Sequence, residues 1–287
     1  MTSTRVLDSM FFPKSVVVVG ASANPSGWGG STFLTDLIQR GYQGRLYPVN
    51  PKATEIAGLK CYPDVKSIPE TPDLVIIAIP SPGVPKVLRD CITTGVKNVH
   101  IFSSGFAETG EEEGNKLDAE ITGIIKNSDL RVVGPNCMGI WVAASKLTYW
   151  GDAPKGTGGL AFISQSGGHG ESLSQHAQAL GIYFSKIISF GNAKGLQAID
   201  FLEYFETDPD TKMIACYFEG INDGSKVTQL IKRINKTKPV FVWKSGLTPS
   251  GARAVTSHTG SLAGEETVWK AFFAQTGAVP VNSLEEI

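Results

Sequence analysis

The segment SVVVVGASANPSGWGGS, residues 15–31, decides the fold of this chain. Its four consecutive valines form a short β-branched run, which is typical of a strand buried on both faces. The run ends at Gly20 and passes through a loop of small residues into STFLTDLIQR (31–40), which is helix-like. A buried strand, a glycine-rich loop and a helix in this order predict a parallel α/β sheet whose first loop can hold a phosphate group.

The alternation of apolar runs and helix-like stretches continues along the chain and is interrupted once, by the Gly/Pro-rich passage WGDAPKGTGG (150–159). Apolar runs lie at 45–50, 73–80, 98–103 and 131–136 before this passage, and at 160–164, 182–191, 212–220 and 239–246 after it. Such runs with helical spacers are typical of parallel strands covered on both faces. We predict an α/β protein of two doubly wound units, residues 1–147 and 148–287.

The composition excludes several classes of protein. The 287 residues carry a formal net charge of −1, so no basic excess indicates a nucleic-acid partner. No apolar run approaches the roughly 20 residues of a membrane span, and the N-terminus lacks a secretory signal pattern. The four cysteines show no Cys-x-x-Cys spacing, which fits a reducing compartment. We predict a cytoplasmic protein that does not contact membranes, and we assign no metal ligands.

The first loop favours a phosphate-bearing ligand other than NAD. Gly20, Ala21 and Ser22 leave room for a phosphate group beside the backbone, but the loop does not match G-x-G-x-x-G. Dinucleotide sites usually carry an acid at the end of the second strand, and here that position reads Asn50-Pro51-Lys52. A lysine favours an additional phosphate, as on the ribose of CoA. NADP satisfies the same criterion, and a tight turn with a surface lysine is the structural alternative.

Two further strand ends carry small polar residues that should converge on this loop. Ser81 follows the third strand, and SSGFAETG (103–110) follows the fourth and contains Ser103, Ser104 and Glu108. In open α/β sheets, ligands bind outside the carboxyl ends of the strands. We therefore predict ligand contacts at these positions, with a helix-start carboxylate as the alternative role of Glu108.

The second half repeats the strand, loop and helix pattern in AFISQSGGHGESL (161–173). Ser164, Gln165, Ser166 and Gly167 offer polar groups and open backbone N–H groups at a helix start, which suits a phosphate. Ordinary N-capping by Ser164 or Ser166 would explain the serines equally well.

One of the four histidines lies in a setting suited to chemistry. His258 belongs to a long loop of small residues, SGLTPSGARAVTSHTGSLAGEE (245–266), although a solvent-exposed loop histidine has the same setting. Imidazole can act as a nucleophile when an acceptor holds its other ring nitrogen. Glu219 ends the apolar run KMIACYFEG, where the sheet would bring it to the same edge as His258; a loop carboxylate is the alternative. For the remaining histidines we predict a core role for His100 and a surface role for His176; His169 follows the glycine pair and is assigned no site role, with an anion contact as the alternative.

At these residues the chain resembles a known superfamily. SHTGSLAG (257–264) is similar to the active-site histidine loop of ADP-forming acetyl-CoA synthetases and of the succinyl-CoA synthetase α subunit. GAS (20–22), NPK (50–52), SSGFAETG, GPNCMG (134–139) and ISQSGG also resemble that superfamily, in the same order. The resemblance implies a Rossmann-like CoA-binding domain at 1–147 and a flavodoxin-like ligase domain at 148–287.

The resemblance also implies roles for particular residues and partners. His258 would be the transiently phosphorylated histidine, Glu219 would support it, and Ser164 to Gly167 would hold the phosphate. An ATP-grasp subunit or domain would bind ATP/ADP or GTP/GDP with Mg²⁺, so that a hetero-oligomer converts a small carboxylic acid, CoA and NTP into acyl-CoA, NDP and phosphate. The implied CoA contacts are Gly20, Ala21, Ser22, Lys52, Ser81, Ser103, Ser104, Glu108 and Asn136.

Other interpretations stay open at this point. A non-catalytic CoA-binding regulatory module would share the first domain, but an intact SHTGSLAG loop with Glu219 disfavours it. An NAD(P)-dependent oxidoreductase is disfavoured by Lys52 and by the missing glycine fingerprint. The chain fits either a compact two-domain subunit or a segment of a longer polypeptide. Trp141 and Trp150 could line an acyl pocket or belong to the core.

Overall fold

A computed structural model describes residues 5–23, 29–246 and 266–287. The first part of the chain forms a five-stranded parallel sheet and a separate two-stranded hairpin. The strands are β1 (Ser15–Val19), β2 (Arg45–Val49), β3 (Glu55–Ile56), β4 (Leu59–Lys60), β5 (Leu74–Ile77), β6 (Asn98–Ile101) and β7 (Arg131–Val133). The helices are α1 (Asp8–Phe11), α2 (Gly30–Gln39), α3 (Val84–Thr93) and α4 (Glu112–Lys126).

The second part forms a six-stranded sheet in which one edge strand is antiparallel. Its strands are β8 (Gly139–Val142), β9 (Leu160–Ser164), β10 (Phe184–Ser189), β11 (Met213–Phe218), β12 (Val240–Lys244) and β13 (Val279–Val281). The helices are α5 (Gly167–Ala179), α6 (Ala198–Thr207), α7 (Gly224–Ile234) and α8 (Glu266–Thr276). The predicted pair of α/β units is confirmed.

Both sheets have the same strand order when only their parallel strands are counted. The orders β2-β1-β5-β6-β7 and β10-β9-β11-β12-β13 both correspond to 2-1-3-4-5, a doubly wound arrangement. In this order the chain reverses direction across the sheet beside the first strand. The loops after β1 and β5, and those after β9 and β11, therefore flank the crevices where such folds bind ligands.

The strand β8 connects the two sheets. It falls within the predicted first unit, yet it pairs antiparallel with β10, from Gly139 opposite Ser189 to Val142 opposite Lys186. An antiparallel edge strand lying between the two series was not predicted from the sequence. The division at 147/148 stays a prediction.

The valines of β1 pack into two different cores. Val17 and Val19 face one cluster with the inner sides of α3 and α4, whereas Val16 and Val18 face a larger cluster. That larger cluster continues into the second sheet and includes Phe162 of β9. Because successive side chains of a strand point to opposite faces, four valines in a row fill both cores. The two units therefore share one hydrophobic core.

A buried ion pair lies at the same junction. The Lys186 ammonium of β10 donates to Asp208 at 2.7 Å, and both side chains are at most 1% exposed. Arg5, which precedes α1, donates to the other oxygen of Asp208 at 2.7 Å. Burial alone would raise the pKa of Asp208, but the hydrogen bonds from Lys186, Thr211 and Arg5 lower it below its ordinary value.

Among the helices of the described ranges, none has the length and apolar character that a bilayer-spanning helix needs.

We predict that Asp208→Asn destabilises the fold strongly, because it leaves Lys186 buried without a counter-charge. The expected loss is about 3 kcal/mol or more in the free energy of unfolding, measured by denaturant titration. The control is Glu206→Gln, which breaks an exposed pair with Arg233 and should cost less than about 1 kcal/mol. Equal losses in the two variants would contradict the assignment of the buried pair as a structural junction.

Candidate functional site

The first loop lies at the switch point of the first sheet and requires glycine there. Gly20 has a φ of +94°, and a Cβ built on it would lie 2.2 Å from the carbonyl oxygen of Ala78 in the loop after β5. A Cβ on Gly30, in the first turn of α2, would lie 2.3 Å from the Gly20 oxygen. The two strand ends and the helix start therefore meet in backbone contact, which residues with a Cβ at these two positions would prevent.

The end of the second strand is joined to this loop. The Asn50 side chain donates to the Ala21 carbonyl oxygen at 2.8 Å and accepts from the Lys52 backbone N–H at 2.9 Å. Lys52 itself is exposed. The amide of Asn50 thus links the predicted phosphate-binding loop after β1 to the turn that carries the exposed Lys52 side chain.

The three predicted serines of the first sheet have different positions. The Ser103 hydroxyl is buried and donates to the Ile79 carbonyl oxygen at 2.5 Å, so it joins the loops after β6 and β5. Ser81 is half-buried, with its Oγ against Gly105. Ser104 is exposed and lines a cavity described below. Of these three, Ser104 has the position expected of a ligand contact.

Glu108 connects the two units. One of its carboxylate oxygens accepts from the backbone N–H groups of Gly105, at 2.7 Å, and Phe106, at 3.2 Å. The other accepts from the Asn192 side chain at 2.6 Å. Asn192 follows β10, so this bond crosses from the edge of the first sheet to the edge of the second. Sequence reasoning missed Asn192, although its position in a Gly/Asn loop after a strand was a usable signal.

The predicted phosphate-binding loop of the second sheet is held by its own side chains. The Ser164 hydroxyl is buried, donates to the Ser166 carbonyl oxygen at 2.8 Å and accepts from the Ser166 N–H at 3.1 Å. Ser164 therefore shapes the loop from inside. Gly167 begins α5, and a Cβ there would lie 2.9 Å from Cγ of Met138, so a larger residue would crowd the helix start.

Gln165 connects this loop to the turn that carries Glu219. Its side-chain oxygen accepts from the backbone N–H groups of Glu219, at 2.5 Å, and Gly220, at 3.0 Å. Glu219 follows β11 and is 3% exposed. Because β9 and β11 are neighbours, with Ser164 opposite Tyr217, the predicted phosphate loop and the predicted supporting glutamate lie side by side. His258 lies outside the described residues.

A cavity of about 260 Å³ lies between the two sheet edges. Ser104 borders it from the first sheet, Gln165 and Gly167 border it from the second, and Asn136 and Met138 border it from the connection to β8. The amide of Asn136 donates to the Asn192 side-chain oxygen at 3.4 Å. Predicted contacts for CoA and for phosphate thus open on one space, whose lining also includes the apolar side chain of Phe102 and the sulfur-bearing side chains of Cys137 and Met138. Within the described ranges, no group of three or more His, Cys, Asp or Glu residues could hold a metal ion.

The three other histidines and the two tryptophans discussed from the sequence are not among the residues that line this cavity. His100 is buried, and burial lowers its pKa to about 4, so it is a neutral core residue as predicted. His176 is exposed, also as predicted. The His169 ring stacks on Trp243 with centroids 5.1 Å apart. Trp141 and Trp150 are buried in the shared core.

Comparison with known proteins agrees with this geometry. Residues 14–143 match the family model of a CoA binding domain, and residues 157–287 match that of a succinyl-CoA ligase like flavodoxin domain. The α subunit of acetate–CoA ligase [ADP-forming] I from Pyrococcus furiosus is 40% identical over 285 residues, which is 98% of this chain and 61% of that one. Acetate–CoA ligase [ADP-forming] I of Archaeoglobus fulgidus is 40% identical over 283 residues, which is 98% of this chain and 41% of that one.

A solved structure gives the same result. Acetyl-coenzyme A synthetase 1 of Ca. Korarchaeum cryptofilum, in complex with phosphate and ADP, superimposes with a TM-score of 0.90 at 39% identity, covering 98% of this chain and 60% of that one. This chain thus spans 41% to 61% of the length of these relatives. Fold and site define a CoA-binding domain joined to a succinyl-CoA ligase-like flavodoxin domain. Over nearly its whole length the chain is similar to acetate–CoA ligases [ADP-forming].

We predict that Gly20→Ala weakens CoA binding at least tenfold, because the new Cβ must displace the Ala78 carbonyl group. The control is Gly181→Ala, which has a similar φ of +75° but no atom within 4 Å of the built Cβ. Gly181→Ala should lose about 1 kcal/mol of stability from left-handed strain alone, and Gly20→Ala should lose more because of its contact with Ala78. Calorimetric titration with CoA separates the two effects, and an unchanged affinity of Gly20→Ala would contradict the assignment of the loop.

Proposed function

We propose that this chain is the CoA-binding, phosphohistidine-bearing part of an ADP-forming synthetase that makes acyl-CoA from a small carboxylic acid. The observation that carries the proposal is the shared cavity, onto which both the CoA-side loop of Ser104 and the phosphate loop of Gly167 open. A transferable phosphoryl group and an incoming thiol need such a common space.

The proposed reaction has three steps. The β–γ bond of the nucleotide breaks as a phosphoryl group forms an N–P bond to His258. That bond breaks as a carboxylate oxygen of the acid takes the phosphoryl group, which gives an acyl phosphate. The thiolate of CoA then attacks the acyl carbon and releases phosphate. Most of the protein's contribution is positioning and electrostatic stabilisation of phosphoryl charge.

The CoA side of the proposal rests on the first sheet edge. The close contact at Gly20 holds the first loop against the loop after β5, and Asn50 holds the turn of Lys52 beside it. We propose that Gly20, Ala21 and Ser22 contact the pyrophosphate and that the exposed Lys52 ammonium pairs with the ribose phosphate. Ser81, Ser104, Glu108 and Asn136 would border the thiol-bearing arm, and Ser103 would hold the loops beneath it.

The phosphoryl side rests on the second sheet edge. The start of α5 offers N–H groups and a helix dipole to an anion, and Ser164 and Gln165 fix the loop and the neighbouring Glu219 turn. We propose that Ser166 and Gly167 contact the phosphoryl group, and that the Glu219 carboxylate orients the imidazole of His258.

The nucleotide and Mg²⁺ belong to a further component in this proposal. We propose that an ATP-grasp subunit or domain supplies them and assembles with this chain, which is consistent with the larger size of the relatives. Two domains divided near residue 147 and a cytoplasmic location are part of the same proposal.

We predict that Lys52→Ala weakens CoA about tenfold and dephospho-CoA much less, because dephospho-CoA lacks the ribose phosphate. Lys97→Ala removes another exposed lysine, which precedes β6 at the opposite edge of the sheet, and should change neither affinity. Equal weakening of both ligands by Lys52→Ala would remove Lys52 from this role.

We predict that labelled ATP, with the ATP-grasp component, transfers phosphate to His258 in an acid-labile, base-stable linkage. His258→Ala should abolish the label, whereas His169→Ala and His176→Ala should retain it. Glu219→Gln keeps the side chain's size but removes its charge, and should slow labelling about 10²-fold. Acid-stable label, or label that survives His258→Ala, would contradict the assignment of His258 as the phosphorylated residue and favour a non-catalytic CoA-binding module.

A further inference from the structure

We propose that Lys244 is a positioning residue for phosphoryl transfer: its ammonium fastens the Glu219 turn to both ends of the segment that carries His258. This role deepens the proposed function and rests on it. Sequence analysis assigned Lys244 no role, although a lysine that ends the apolar run PVFVWK parallels the glutamate that ends the neighbouring run.

The register of the sheet brings Lys244 to the Glu219 turn. Lys244 is the last residue of β12 and lies opposite Phe218, the residue before Glu219. Its side-chain nitrogen donates to the Glu219 carbonyl oxygen at 2.9 Å and also to the carbonyl oxygen of Ser245. The ammonium therefore joins the turn after β11 to the turn after β12.

The same ammonium contacts the element that follows the histidine segment. Lys244 Nζ lies 5.6 Å from the ring centroid of Trp269, in the first turns of α8, within the range of a cation–π attraction. Residues 247–265 connect Ser245 and Gly246 to α8 in the sequence. Both flanks of that segment thus contact one charged group, and that group is bonded to the glutamate turn.

Burial makes this arrangement costly, which argues against a packing role. Lys244 is 5% exposed, and burial lowers the pKa of its ammonium below the ordinary value, while attraction to the Glu219 carboxylate opposes that shift. An apolar side chain of similar length would fill the space without this desolvation cost. What the apolar side chain lacks is the pair of hydrogen bonds and the positive charge beside Glu219.

The Glu219 turn is consequently fixed on two sides. Gln165 accepts from the N–H groups of Glu219 and Gly220, and Lys244 donates to the Glu219 carbonyl oxygen. Side chains that hold a functional group through a neighbour typically change activity 10- to 100-fold when they are removed. We expect Lys244 to act in this way on the carboxylate that would orient His258.

The strand provides a matched control at its other end. Lys238, which precedes β12, is half-buried and donates to two backbone carbonyl oxygens, those of Phe205 at 2.6 Å and Asp208 at 2.7 Å. It has the same chemistry and bonding mode but lies at the opposite edge of the sheet from Glu219. Lys238→Met therefore measures what loss of such a lysine does to the fold alone.

The test uses the full chain and labelled acetyl phosphate, whose P–O bond to acetate breaks as the N–P bond to His258 forms, so no nucleotide is needed. For Lys244→Met we expect the maximal labelling rate per folded molecule to fall about 10- to 100-fold with little change in KM. Lys244→Arg should recover most of the rate, because it keeps the charge and donors. Lys238→Met should be labelled within about threefold of the wild-type rate, even where its thermal midpoint of unfolding falls as far as that of Lys244→Met.

Three results would overturn the role. These are a wild-type labelling rate in Lys244→Met, equal slowing in Lys238→Met, and no recovery in Lys244→Arg. Should Lys244→Met fail to fold, Lys244→Gln, which is shorter and polar but uncharged, carries the same expectation. Absence of His258 label on the wild-type chain would instead overturn the proposed function, and the role of Lys244 with it.

Discussion

The shared hydrophobic core is the constraint on which the rest of the structure depends. Val16 and Val18 of β1 pack into the same cluster as Phe162 of β9, so the first strands of the two sheets are fixed through one apolar interior. Each of these strands lies at the switch point of its own sheet. Fixing them together orients the two ligand-binding edges toward a single cavity, which neither unit could form alone.

Polar groups at the edges refine what the core fixes. The Glu108 carboxylate bonds Asn192 across the junction, and the Gln165 oxygen bonds the N–H groups of the Glu219 turn. The Glu108, Gln165 and Asn192 side chains that make these bonds are half-buried, and a partner left unpaired there would cost stability. The site therefore depends on half-buried amide and carboxylate groups that contact the backbone and one another, which leaves helix N-termini and exposed side chains to contact ligands.

Much of the fold could be predicted from the sequence because buried parallel strands are continuous apolar runs. The need for glycine at position 20 has a structural reason, which is the close approach of the Ala78 carbonyl oxygen. The strand β8 did not follow, because pairing with β10 depends on long-range register. Within the site, the sequence pattern predicted which loops converge but not which hydroxyl groups bond the protein itself. The Ser103 and Ser164 hydroxyls donate to backbone carbonyl oxygens. Hydrogen-bond partners of this kind depend on the three-dimensional approach of loops that are distant in sequence.

We propose that CoA and the phosphoryl group meet in the cavity between the two sheets. A crystal structure of the chain with CoA and inorganic phosphate would test this arrangement. We expect the CoA phosphates to lie on the Gly20 loop, the thiol arm to enter the cavity beside Ser104, and phosphate to lie at the start of α5 near Gly167. CoA bound with its thiol directed away from this cavity, or phosphate bound elsewhere, would contradict it.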